Sequence, residues 1–216
     1  MAGVSGPVPT GDRGAMSESR RPHDLMILEG IATTVNEDGA VNVAPMGPWV
    51  DRAITRLVLR PFAGSRTYAN LRRTRAGIFH VSDDVELLAQ AAVGDPEPPP
   101  ELMEAPHGRG YILRDACRWY AFEVRNWHEE EGRTRLDCAI VDRGTLRDFF
   151  GWNRAKHAVL EAAILATRLQ WIDRDFIKGQ FDELAVLIDK TAGDQERRAF
   201  EFLRAYVERG GANSPR

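Results

Sequence analysis

The chain has 216 residues and a formal net charge of −3. That is enough length for one good core, or a core with a small helical appendage, and too little positive charge for a general binder of nucleic acid or membrane surfaces. Its two cysteines, Cys117 and Cys138, argue against a disulfide-stapled secreted fold and for a reducing compartment. No stretch approaches a membrane-spanning apolar run and the first residues lack the apolar core of a signal peptide, so we read the chain as cytoplasmic, with Met1 or Met16 as its start.

Residues 1–23 are rich in Gly, Pro, Ser and Arg. They hold too few large apolar side chains to offset ordering entropy and are predicted to form a tail. From residue 24 the pattern changes to short β-branched runs at 28–35, 40–46 and 53–60, the first two joined by the hairpin signal NEDG at 36–39. Residues 65–74 read as a short helix with Ser65 as N-cap and with Tyr68 and Leu71 facing inward. A strand follows at 76–82, then a helix at 83–94 that begins on two acids, which suits the positive end of its dipole. Prolines and glycines in 95–110 predict a long loop without regular structure, a candidate lid. Strands resume at 117–130 and 133–145 across an acidic turn around "EEEGR". The last third carries apolar stripes at helical spacing in 153–172, 175–193 and 194–210. The expected fold class is therefore β-rich α+β: a barrel over 24–150, a C-terminal α-helical subdomain over 151–210 and a tail at 211–216.

Chemistry concentrates in one window. Between Asp51 and Asp83 the chain has no acid but seven arginines: Arg52, Arg56, Arg60, Arg66, Arg72, Arg73 and Arg75. At the junction "RPFAGSRTYANL" the N–H groups of a helix start lack partners, the dipole adds positive charge, and the Ser65 and Thr67 hydroxyls can donate to the same point. Arg60 and Arg66 could supply forked donors to a dianion, while Gly64 allows close backbone approach. That is a phosphate pocket. The competing readings are a plain helix cap, a solvated basic face and, less well supported, an arginine-mediated nucleic-acid site, for which platform aromatics are missing. Upstream, "NVAPMGPW" should carry the rest of such a ligand. Pro45 and Pro48 cannot donate to a ladder and Gly47 leaves the backbone bare, so the strand is expected to stop pairing regularly here and present free backbone groups at its edge, while Met46 and Trp49 offer a polarizable and a flat surface.

The combination of an N-x-A-P strand end, a strand, "RP", a Ser-x-Thr turn opening a short helix and the strand "GIFHVS" resembles the flavin reductase family of FMN-binding split β-barrels. "APMG", "GSRTYANL" and "NRAKHAVLEAAILATR" resemble more closely an uncharacterised family of that superfamily with a helical C-terminal extension. The likeness covers roughly residues 25–171. It implies FMN as cofactor, with its phosphate at Arg60, Ser65, Arg66 and Thr67, its ribityl chain and ring along Asn42, Ala44, Pro45, Met46 and Gly47, and Tyr68 as a further cofactor-binding residue. It also implies a homodimer with FMN near the interface. The implied activity is an oxidoreductase passing hydride from a donor such as NAD(P)H through FMN to a small-molecule acceptor; the alternative is a protein that holds FMN, a deazaflavin or haem without turnover. Where a typical flavin reductase has Asn after the strand Phe, this chain has His80, which implies a different neighbourhood for the ring. Asn153 and Arg154 match an "NRA" of the closer family. They read either as contacts to cofactor or substrate, or as an N-cap with an exposed neighbour.

No triad, nucleophile elbow or metal-ligand spacing stands out. His23, His80, His107, His128 and His157 show no i, i+4 pairing, and both cysteines read as small apolar strand residues. A flavoprotein needs little more, since the cofactor carries the reaction.

Overall fold

A computed structural model describes residues 21–130 and 133–211. The expected tail therefore lies outside the described residues up to position 20, as do the centre of the "EEEGR" turn and the last five positions.

Eight strands form one antiparallel sheet. In chain order they are β1 (Met26–Ile27), β2 (Gly30–Val35), β3 (Val41–Met46), β4 (Trp49–Val50), β5 (Arg56–Leu59), β6 (Ala76–Val81), and the long pair β9 (Arg118–Glu130) and β10 (Arg133–Thr145). Their order across the sheet is β1-β4-β5-β10-β9-β6-β2-β3. The chain crosses from β1 at one edge to β2 near the other through Leu28 and Glu29 alone, and from β3 at one edge to β4 near the other through Gly47 and Pro48 alone. Links of two residues reach only a few ångströms, so the two sides of the sheet must meet. The sheet is curled into a barrel split along this seam, which the Leu28 N–H spans by donating to the Pro48 carbonyl at 3.1 Å.

Gly47 sits at the seam because nothing larger fits. A Cβ there would lie 2.9 Å from both Glu29 carboxyl oxygens and 3.0 Å from Ile27. Gly30, where the chain enters β2, is tighter still: a Cβ would stand 2.3 Å from the His80 carbonyl oxygen and 2.6 Å from the Phe79 ring. Gly30→Ala is expected to destabilise the protein by about 3 kcal/mol, roughly 10 °C in thermal midpoint, because backbone and a buried ring must both move; differential scanning calorimetry checks this.

The barrel interior is filled by Leu57, Leu59, Leu71, Phe79, Phe122 and Leu136, all fully buried. A second core lies on the opposite face of β2 and β3, where Ile31 and Val43 join one apolar cluster with residues of four helices. These are α2 (Val85–Val93), α3 (Arg154–Ala166), α4 (Arg174–Thr191) and α5 (Asp194–Glu208). The buried face of α3 is nearly all alanine, Ala155, Ala158, Ala162, Ala163 and Ala166, which lets α2, α4 and α5 pack closely around it. No helix among the described residues is long and apolar enough to cross a membrane.

The segment leading into α3 is pinned by Asp83. Its carboxylate accepts from Arg147 Nη1 at 3.1 Å and from the Phe150 N–H at 2.7 Å. The hydrogen bonds from Arg147 hold the Asp83 carboxyl down at about 2. Lys156 donates to the Asp83 carbonyl at 2.7 Å and pairs with Glu196 at 2.8 Å, tying α3 and α5 to the same corner.

Two expectations need correction. The proline-rich stretch 95–110 is not wholly irregular: β7 (Leu102–Glu104) pairs with β8 (Tyr111–Leu113) in a small second sheet. Nor does β3 stop pairing at its prolines. Pro45 stands opposite Ile31 and the ladder continues to Met46, because an edge strand tolerates a residue without an N–H on its outer side.

Candidate functional site

The turn at 61–67 folds as its residues require. The Ser65 N–H donates to the Phe62 carbonyl at 3.1 Å, and Gly64 at φ 90° supplies the left-handed third position of that turn. Helix α1 (Arg66–Thr74) starts next. Ser65 is its N-cap, accepting from the Tyr68 N–H at 3.1 Å. With no acid in its first turn, α1 presents the N–H groups of Arg66 and Thr67 with no acceptor among the described residues. A Cβ on Gly64 would meet nothing within 4 Å, so the space over this turn is open.

Beneath the turn is a buried polar cluster. Asn42 Nδ2, from β3, donates to Thr67 Oγ1 at 3.0 Å and to Thr34 Oγ1 at 3.1 Å. Asn70 Nδ2 donates to the same Thr34 hydroxyl at 3.0 Å and to Asn36 Oδ1 at 2.7 Å. Asn42, Thr67, Thr34 and Asn70 are all buried. These bonds fasten the start of α1 to the edge strand, so the two stretches singled out in the sequence are neighbours in space. Ala44, Pro45, Met46 and Gly47 continue along that edge, each half-buried. The side chain of Asn42, expected beside a ligand, instead braces the turn from below.

The arginine-rich window does not converge on one anion. Arg56 pairs with Asp24 at 3.3 Å, Arg73 donates to the Val35 carbonyl, and Arg75 caps the far end of α1 over the Trp127 ring at 5.3 Å. Arg60 and Arg66 remain near the turn. Arg66 pairs with exposed Asp95 at 2.6 Å, and Arg60 lies 4.3 Å over the Trp49 ring. Trp49 is thereby withdrawn as a ligand surface: it is buried with Leu25 and Val58, its face covered by the guanidinium. Half-buried Tyr68 stands edge-on to Trp127, with ring centres 5.2 Å apart.

Asn153 lies elsewhere. Its Oδ1 accepts from the Ala155 and Lys156 N–H groups at 2.8 and 3.1 Å, and its Nδ2 donates to the Thr191 carbonyl at 3.1 Å. The geometry is that of an N-cap that also ties α3 to the end of α4, and Arg154 is the exposed first residue of α3. Of the two readings of this pair, the structure supplies contacts for the cap. His80 is likewise structural. It is fully buried; its Nε2 accepts from the Leu113 N–H at 3.1 Å, so Nδ1 carries the proton and donates to the Ile31 carbonyl at 3.0 Å. Burial pushes its pKa down to about 4. No cluster of His, Cys, Asp or Glu suited to a metal occurs among the described residues.

Two features beside the site escaped the sequence reading. Phe62 in the turn stacks on Trp171 from the loop after α3, ring centres 6.1 Å apart and both rings exposed. An aromatic within a turn is a weak signal, and its partner far along the chain gives none. Glu29, against Gly47 at the seam, has its carboxyl pKa raised by burial and then by the charge of Glu161 on α3.

The architecture and this site can be set beside known proteins. An FMN-bound protein from Methanosarcina mazei, assigned to DUF447, is 26% identical with a TM-score of 0.72, over 83% of this chain and 94% of that one. The flavin reductase of the styrene monooxygenase of Pseudomonas putida S12 is 17% identical with a TM-score of 0.46, over 55% of this chain and 82% of that one. An FMN-binding protein from Thermus thermophilus with bound p-hydroxybenzaldehyde is 12% identical with a TM-score of 0.49, over 63% and 81%. The last two are too distant to bear on the site. No curated protein matches the chain. Residues 28–147 match the model of the N-terminal domain of a protein of unknown function, DUF447, and residues 153–205 match the second model of that name; the chain belongs to the DUF447 family.

Proposed function

We propose that the protein is an FMN-binding flavoprotein whose cofactor phosphate is held at the start of α1. The observation that carries this reading is the open, acid-free helix start at Gly64–Thr67, in a chain 26% identical to an FMN-bound protein across most of both lengths. Ser65, Thr67 and the N–H groups of Arg66 and Thr67 donate to the phosphate, and the α1 dipole adds partial positive charge. Arg66 exchanges its exposed pairing with Asp95 for the phosphate at little cost, since such surface pairs contribute about 0–1 kcal/mol and hydrogen bonds to a charged group about 1.5–3. Arg60 supplies a second guanidinium. The ribityl chain and ring run along Ala44, Pro45, Met46 and Gly47, with Asn42 holding strand and turn in register.

Phosphate contacts alone fall short of the roughly 8 kcal/mol of micromolar binding, so the ring must be buried as well. We place that burial at a homodimer interface, near which the exposed Phe62, Trp171, Phe149, Phe150 and Trp152 offer apolar surface. When bound, FMN supplies hydride and electron transfer between a donor such as NAD(P)H and a small-molecule acceptor, a task that asks the protein mainly for positioning and electrostatic tuning. The test is the visible spectrum of the purified protein, before and after incubation with FMN, together with its mass by light scattering. A yellow dimer that NADH or NADPH bleaches is expected. A colourless protein that takes up no added FMN sinks the reading, and a yellow protein that neither nucleotide reduces leaves a carrier rather than a reductase.

A further inference from the structure

A second cleft, distinct from the FMN turn, opens at the other end of α1. Its volume is about 370 Å³, within the range of small-molecule sites. Val35 and Val41, from the two sides of the β2–β3 hairpin, form one wall, and the stretch from Glu104 through Arg109 to Tyr111 forms the other. This second wall is fastened in place: Thr33 Oγ1 donates to the Tyr111 carbonyl at 2.6 Å, and the Ala105 N–H donates to the Gly110 carbonyl at 2.8 Å. It is also bent sharply, with His107 at φ 62°, Gly108 at φ 67° and Gly110 at φ 120°. A non-glycine residue in the left-handed region costs free energy that the surrounding structure must hold.

The wall brings two charged side chains, Glu104 and Arg109, into an otherwise largely apolar cleft, and Arg109 is its one cation. Arg109 lines it with about a third of its side chain exposed (34%), while its Nη1 end is withdrawn to 3.7 Å from Glu123. That Nη1 is the one buried side-chain nitrogen or oxygen among the described residues without a hydrogen-bond partner. Buried donors are rarely left so, because the donor loses its hydration and gains no bond in return. The guanidinium is therefore anchored by charge on its Glu123 side, and the exposed third of the side chain is left for a cleft that Tyr111, Val35 and Val41 also line.

We propose that this cleft is a binding site for a small monocarboxylate with a flat or branched apolar body. Its carboxylate pairs with the Arg109 guanidinium in the forked geometry that Arg favours, and its body lies between Tyr111 and the two valines. Phosphate and other dianions are disfavoured, because Glu104 lines the cleft and Glu123 already shares Arg109. The site stands on the geometry of this chain and does not depend on FMN.

Benzoate and inorganic phosphate are the probes, titrated into the full-length protein and followed by amide chemical shifts in two-dimensional NMR. Saturable benzoate binding with Kd at or below ~1 mM is expected, with shifts centred on 104–111 and on Val35 and Val41, and a loss of at least about tenfold in Arg109→Gln. Val35→Phe, which fills the cleft from the opposite wall and leaves Arg109 intact, should also abolish binding, so a misfolded Arg109→Gln protein would not shield the proposal. FMN affinity should be unchanged in both variants, which separates this site from the cofactor site. No saturable benzoate binding by the wild type up to ~10 mM, equal or tighter binding of phosphate, or benzoate binding that survives both substitutions would overturn the proposal.

Discussion

Replacing Ser65 and Thr67 together by alanine is expected to weaken FMN binding about a hundredfold. Each hydroxyl is assigned one hydrogen bond to a dianion, worth roughly 1.5 kcal/mol at the low end, and two such losses sum to about 3 kcal/mol. The change also touches the fold, in a way that can be separated. Ser65 caps α1 by accepting from the Tyr68 N–H, and loss of a cap costs about 1 kcal/mol. Thr67 accepts from Asn42, which keeps its second bond, to Thr34. The double variant should therefore remain folded with a modestly lower melting point, measured on the FMN-free protein, while fluorescence titration with FMN shows the larger loss. Thr67→Ser retains the hydroxyl and should stay near wild-type affinity. An unchanged affinity in the folded double variant would mean that the phosphate binds elsewhere, whatever the colour of the wild type.

The second large effect is a loss of stability in mild acid that traces to His80. Its ring is neutral in the folded protein, with a pKa near 4, whereas a histidine in the unfolded chain titrates near ~6.5. Between these values the unfolded state binds the extra proton, so stability falls as pH drops from about 6.5 and the loss is complete near 4. At ~1.4 kcal/mol per pH unit this comes to about 3 kcal/mol. Protonation places a donor on Nε2 where it faces the Leu113 N–H, so the bond that pins β8 to β6 breaks. Urea unfolding across this pH range should show the slope in the wild type. His80→Phe should lose it and be less stable at neutral pH by roughly 2–4 kcal/mol, because the Leu113 N–H and Ile31 carbonyl are left unpaired. A wild type and variant with equal pH slopes would show that His80 already titrates near its ordinary value when folded.

How much was legible beforehand differs from element to element. Helices α3, α4 and α5 and the long strands β9 and β10 were readable because each carries a sustained periodicity, of the helical or the alternating kind, that burial on one face imposes. Strands of two or three residues such as β1, β4, β7 and β8 carry no period. They exist only because a neighbouring strand holds them, and the Leu102–Glu104 strand was hidden by the prolines before it. Ser65 as N-cap was legible since capping is a local contract between a side chain and the next few N–H groups. The fate of the arginines was not. Arg66 meets Asp95, Arg60 meets Trp49 and Arg75 meets Trp127, and a cation's partner depends on what the fold brings near it.

The chain on its own determined the alternation of strand and helix, the acid-free helix start and the kinship that points to FMN, because periodicity, capping and motif spacing are properties of consecutive residues. Only the tertiary structure decided that Asn42 reaches beneath the turn to Thr67, that Glu29 presses on Gly47 across the seam, that Asn153 and His80 are spent on holding the fold, and that Arg109 lines a cleft while its Nη1 is buried beside Glu123. Each of these joins residues far apart in the chain, and such contacts are set by the curl of one sheet closing on itself rather than by any local pattern.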